Sequence, residues 1–129
     1  MKTNIEVRYA SHPDDVKHWD TVHIRKEHLV TGLFTDNTVT MVYTLYDRMI
    51  AGGARPVGEA LKLEPVDEVK AAYFLHRREL GIFNVGGKGR VTAGGKSFDL
   101  AYKEALYLGS GDRDVLFESD DADNPALFY

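Results

Sequence analysis

Short runs of β-branched and aromatic residues, each closed by a glycine pair or a polar turn, set the rhythm of this chain. The strongest run is residues 39–46, VTMVYTLY, which holds neither Gly nor Pro and predicts a strand. Residues 47–51 continue it into Gly52-Gly53, where a bulge or turn is expected. The longest patterned stretch is residues 71–89, AAYFLHRRELGIFNVGGKG. It opens on Tyr73-Phe74-Leu75, crosses His76-Arg77-Arg78-Glu79, turns apolar again over residues 80–85 and closes on Gly86-Gly87-Lys88-Gly89. That pattern reads as a strand entering a tight turn. Residues 90–93, the Gly94-Gly95 turn and residues 97–102 complete a meander that is expected to form the centre of the fold.

On either side the signals are shorter. Ile5, Val7 and Tyr9 alternate with polar residues, as in an edge strand. Ser11 before Pro13 and two acids is a helix start. Residues 20–29 predict a short helix capped by Asp20 or Thr21, with Val22, Leu29 and Ile24 turned inward. Residues 59–63 alternate with period two, and residues 65–69 make a loop or one helical turn. Residues 104–108 and 114–119 are two further strands about the Gly109-Ser110-Gly111-Asp112 turn. Short strands at about 8–12-residue spacing indicate an all-β barrel or sandwich. Residues 1–32 form its helical N-terminal appendage, and residues 1–129 make one domain.

Composition narrows the function. With 129 residues, 43% hydrophobic and 28% charged, the chain can bury a core without staples. The absence of cysteine excludes disulfides, thiolate zinc sites and cysteine nucleophiles. A net charge of -4 argues against a nucleic-acid partner, which needs a basic face. No apolar run approaches the roughly 20 residues that span a bilayer. The start lacks a signal-peptide core, so the cytoplasm is the expected location. The last residues, Pro125-Ala126-Leu127-Phe128-Tyr129, are apolar where chain ends are usually polar and loose. Such an end is either docked or cut.

The candidate chemistry sits in the central stretch. Glu79 and Gly86 keep the Glu-to-Gly spacing of the metal-binding cupin hairpin, and residues 109–114 keep the spacing of its later turn. The histidines of that pattern are missing: Ala72, Tyr73, Phe74 and Leu75 occupy the first positions and Asp114 the last. One glutamate and a distant aspartate fall short of the three or so donors that a zinc ion needs, so no metal is expected here. His76 is a ligand or general base by its intrinsic pKa, or a solvated residue beside two arginines. Arg77-Arg78-Glu79 is a fork for a substrate carboxylate or a structural ion pair. By alternation, Arg77 and Glu79 share one face and Arg78 takes the other. His23 and His28 are five apart and do not share a helical face as i, i+4 ligands would. The glycine clusters at Gly52-Gly53, Gly86-Gly87 and Gly109-Ser110-Gly111 match no phosphate loop and are read as structural turns.

A family resemblance runs through these residues. It rests on Asp20-Thr21 with Arg25, Thr40-Met41-Val42-Tyr43, and Asp47-Arg48-Met49-Ile50 with Gly52-Gly53 and Pro56. It continues through Tyr73-Phe74-Leu75, Arg77-Arg78-Glu79-Leu80-Gly81, Asn84-Val85-Gly86-Gly87, residues 104–111, and Pro125-Ala126 with Phe128-Tyr129. The chain resembles the N-terminal half of the 5-keto-4-deoxyuronate isomerases, ketol-isomerases of pectin and uronate breakdown. The resemblance implies a two-cupin protein about twice as long, consistent with more than one domain of ordinary size. It also implies a zinc site in the other half that polarises the carbonyls during proton transfer between adjacent carbons. This half is then expected to be a degenerate cupin without metal. Arg77, Arg78, His76 and Glu79 are its substrate-binding candidates, and its partners are the missing C-terminal half, further copies of itself, or both. A uronate-binding module and an assembly module are the alternatives.

Overall fold

The computed structural model describes residues 1–129. Its strands are β1 (Lys2–Arg8), β2 (Thr38–Thr44), β3 (Met49–Arg55), β4 (Leu61–Lys62), β5 (Leu80–Phe83), β6 (Gly89–Ala93), β7 (Lys96–Leu100), β8 (Ala105–Leu108) and β9 (Val115–Ser119). Two short helices, α1 (Pro13–Val16) and α2 (Thr21–His28), lie between β1 and β2. The chain is thus β-rich, with one 3₁₀ turn at Asp67–Val69. No helix is long and apolar enough to cross a membrane.

The strands form sheets in the orders β1-β2-β3, β4-β9-β6-β7 and β5-β8. β1 lies parallel to β2 over its whole length, and a parallel neighbour requires a crossover. The two helices are that crossover, so residues 2–8 belong to the sheet and the appendage begins after them. α1 is capped by His12, whose Nδ1 accepts from the Asp14 N–H at 3.1 Å, rather than by Ser11. α2 is capped by Asp20, which accepts from the His23 N–H at 2.8 Å. The inward face expected on α2 is absent: Val22 is 76% exposed, and Ile24 and Leu29 are also exposed. Trp19 takes the packing role instead. It stacks on His23 with centroids 3.9 Å apart and lies 5.6 Å from His28, so one indole gathers the two histidines that helical spacing separates.

β2 is buried along most of its length because β1 and β3 flank it and Val39 and Met41 point into the core. The turn into β3 is made by Asp47 and Arg48, both with left-handed φ (53° and 52°), and not at Gly52-Gly53. Those two glycines lie inside β3, opposite Met41 and Thr40. Gly53 is there for space: a Cβ would meet the Leu33 carbonyl oxygen at 2.5 Å, where the chain at Leu33 passes over the sheet.

The expected central meander is only partly present. β6 and β7 form a hairpin through Gly94 and Gly95, both at positive φ. β5, however, pairs with β8 and not with β6. Gly86-Gly87 therefore carries the chain from one sheet to another and is not a hairpin turn. A side chain at either position would strike residues 124–127. Gly109 and Gly111 likewise sit in the passage from β8 to β9, whose partners lie in different sheets. Residues 72–77 form bends and turns, and residues 78–79 lead irregularly into β5, so the segment before Leu80 is not a strand.

The chain end completes the architecture. The Ala54 N–H donates to the Phe128 carbonyl at 2.9 Å and the Phe128 N–H donates back at 3.0 Å. On the other flank, Phe83 and Tyr129 exchange the same pair of bonds at 2.7 and 2.8 Å, and the Val85 N–H donates to the Leu127 carbonyl at 2.8 Å. Residues 126–129 are thus a strand in all but label. They are antiparallel to both neighbours and join the sheets into the order β1-β2-β3-(126–129)-β5-β8. The end is docked. Phe128 points into the core, where its ring lies 5.4 Å from that of Phe117.

Candidate functional site

Residues 126–129 run between β3 and β5 and stop at Tyr129, but both flanking strands continue past it. Beyond that point lies a cavity of about 510 Å³, bounded by Met49, Ile50 and Gly52 on one side and by Glu79, Leu80 and Gly81 on the other. Its floor reaches the core at Met41, Phe74 and Phe117. Fourteen of its 20 lining residues are hydrophobic, and the charged ones come from a single run of the chain at the end beside the β2–β3 turn.

That end is formed by Arg77, Arg78 and Glu79, all three of which line the cavity. The alternation expected of them fails because they precede β5 in a non-strand segment. Arg78 Nη1 donates to the Arg48 carbonyl at 2.8 Å, and its guanidinium lies 5.0 Å from the centre of the Tyr43 ring. It therefore pins the 72–79 segment to the β2–β3 turn by a hydrogen bond and a cation–π contact. Arg77 Nη2 donates to the Lys70 carbonyl at 3.1 Å. His76 stays outside the cavity, exposed, with its ring 4.8 Å from that of Tyr73. Of the four candidates, the fold brings three to the cleft and leaves the histidine out.

Glu79 lies near the Tyr107 hydroxyl. A hydrogen bond to that carboxylate, with smaller contributions from desolvation and the carboxylate's charge, raises the Tyr107 pKa above its ordinary 10.0. A raised value keeps the phenol protonated further into the alkaline range. Any stability from the pair is therefore complete below about pH 10 and lost as the pH climbs through the shifted value. Replacing Glu79 with Ala should return the Tyr107 titration toward 10.0, followed by the NMR shift of its ring carbons with Tyr107→Phe to assign the signal. An unchanged titration would mean that the pair does not form.

No three His, Asp or Glu side chains in the chain converge on a common point. Asp114, at the position of the pattern's last histidine, pairs with Lys62 Nζ at 3.2 Å. It raises the lysine's pKa first by that hydrogen bond and then by its charge. Glu79 faces a phenol and His76 faces solvent. The residues present do not fit a zinc ion, which needs about three or four converging N or O donors.

What sequence reasoning missed is made of backbone. Groups along a strand alternate in the side to which they point. Ala54 and Phe83 point toward residues 126–129, so Ile50 and Gly52 on β3 and Gly81 on β5 present their N–H and C=O groups to the cleft. The one visible signal was the apolar end after Pro125, which marked the docking strand without showing where it inserts.

No family model matches the chain. Among curated proteins, it is 62% identical over all 129 residues to 4-deoxy-L-threo-5-hexosulose-uronate ketol-isomerase 1 of Bacteroides thetaiotaomicron. It is 61% identical over the same span to the ketol-isomerase of Bacteroides fragilis and 53% to that of Formosa agariphila. The matched span is 46% of each of these proteins. From its first residue to its last, the chain is a homologue of the 4-deoxy-L-threo-5-hexosulose-uronate ketol-isomerases, and it spans about half the length of the curated relatives it matches.

Proposed function

We propose that this chain is the N-terminal half of a uronate ketol-isomerase: a degenerate, cupin-like domain that supplies scaffold and assembly surface while the reacting groups lie in the other half. The observation that carries the reading is the match along all 129 residues to proteins about twice as long, and it draws support from the scatter of the His, Asp and Glu side chains, no three of which converge. The reaction moves a proton from a hydroxyl-bearing carbon to the neighbouring carbonyl carbon and the hydroxyl proton to the carbonyl oxygen, so carbonyl and hydroxyl exchange places with no net change in atoms. It needs a base held near the reacting carbons and a group that polarises the carbonyl. In this reading the zinc of the other half supplies the polarisation. The contribution of this half is to hold that half in place, in the cytoplasm and within a larger assembly.

Two features favour a scaffold over a uronate-binding module. Arg78 is already committed to Arg48 and Tyr43, and Arg77 to the Lys70 carbonyl, so both cationic groups of the cleft already hold partners within the chain. The assembly role draws support from the outer face of β5 and β8, where Phe83 and Tyr107 lie exposed on the same side. Exposed aromatic area of this kind is typical of interfaces. The test is turnover of 5-keto-4-deoxyuronate. The 129-residue chain alone should show none, and the chain joined to the remainder of the Bacteroides thetaiotaomicron relative should be active. Turnover by the chain alone would refute the division of labour.

A further inference from the structure

The cleft between β3 and β5 has the shape of a missing strand. Where residues 126–129 fill it, the two flanks are each one strand spacing away, about 4.8 Å. Past Tyr129 the same flanks border open space. The register is already set by the Ala54–Phe128 and Phe83–Tyr129 pairs. Continued by antiparallel counting, the first residue after Tyr129 falls opposite Gly52 and the second opposite Gly81. Because Phe128 points inward, that first residue would also point inward, into the apolar cavity.

We propose that this cleft is a strand-acceptor slot, occupied by the segment that follows the residue matched to Tyr129 in the full-length ketol-isomerases. This rests on the reading of the chain as their N-terminal half. The slot offers what strand addition uses: open backbone donors and acceptors on both flanks, and pockets for alternate side chains. Gly52 and Gly81 have no side chain to obstruct an incoming backbone, and beside Gly81 only the Phe83 ring edge comes near, 3.9 Å from a Cβ position. The inserted strand would fasten the second half to the first through the sheet itself, and so set where that half sits.

The experiment is amide hydrogen exchange at Gly52 and Gly81. It compares the 129-residue chain with the chain lengthened by the dozen or so residues that follow the matched span in the Bacteroides thetaiotaomicron relative. Exchange at both glycines should slow by about a hundredfold on lengthening, as amides do when they enter a stable ladder. The amide of Gly58, on a separate loop, should not change. Unchanged exchange at Gly52 and Gly81 would overturn the slot. If the full-length protein is active while these amides stay unprotected, the slot fails and the division of labour stands. If they are protected in a full-length protein without turnover, the reverse holds. Protection of the 129-residue chain that grows with its concentration would assign the cleft to a second copy, and protection on adding galacturonate would assign it to a small ligand. Either result overturns the proposal.

Discussion

Removing residues 126–129 should leave a chain with no cooperative thermal transition. The deletion takes out the strand that joins the β1-β2-β3 sheet to the β5-β8 pair. It breaks the two bonds between Ala54 and Phe128, the two between Phe83 and Tyr129, and the one from Val85 to Leu127. Loss of the buried Phe128 ring alone costs about 3–5 kcal/mol. Each lost hydrogen bond adds about 1 kcal/mol, against roughly 5–15 kcal/mol for a whole domain. The exposed edges of β3 and β5 would then invite aggregation. Calorimetry decides the matter: a sharp transition in the truncated chain near that of the intact one would show that the last segment is decoration. Phe128→Ala is the milder version and should lower stability while leaving a folded protein.

A comparable loss should follow from one buried amide. Asn84 is fully buried and uses all of its hydrogen-bonding capacity. Its Nδ2 donates to the carbonyls of Gly87 and Leu100, both at 2.8 Å. Its Oδ1 accepts from the Gly86 N–H at 3.0 Å and the Leu127 N–H at 3.3 Å. One side chain thus ties the β5–β6 crossing, the end of β7 and the final strand together. Asn84→Leu matches the volume but strands four polar groups away from water. At about 1–3 kcal/mol for each stranded group, a loss of about 4 kcal/mol or more is expected in denaturant titration. Asn84→Asp should do similar harm at neutral pH, because the introduced carboxylate faces two carbonyls and has no proton to give. Those carbonyls and burial would raise its folded pKa above the unfolded value near 3.9. Part of the stability should therefore return as the pH falls through that raised value. A loss below about 1 kcal/mol for Asn84→Leu, the worth of a single ordinary hydrogen bond, would mean that the network does not fasten the fold.

The legible parts of the sequence were those governed by local chemistry. The apolar period of residues 39–46, the Gly94-Gly95 hairpin and the Asp20 cap each depend on a few neighbouring residues, and the structure has them. Pairing between distant segments left no such mark. Gly52-Gly53 looks like a turn because glycine serves both turns and close approach, and only the path of Leu33 over the sheet distinguishes the two. Gly86-Gly87 looks like a hairpin because β5 and β6 are consecutive, yet β5 finds its partner in β8. At the site, the charged residues could be read and Arg77, Arg78 and Glu79 do border the cleft. The cleft itself could not be read, because its walls are main chain and its identity does not depend on residue type.

Zinc content tests the claim that this half carries no metal chemistry of its own. The 129-residue chain would be incubated with zinc, dialysed and measured by atomic emission beside the full-length relative from Bacteroides thetaiotaomicron. Zinc should remain with the full-length protein and fall to the dialysis blank in the chain alone. A stoichiometric ion retained by the chain, and lost on changing Glu79 or His76, would contradict the account and move the seat of the reaction into this half.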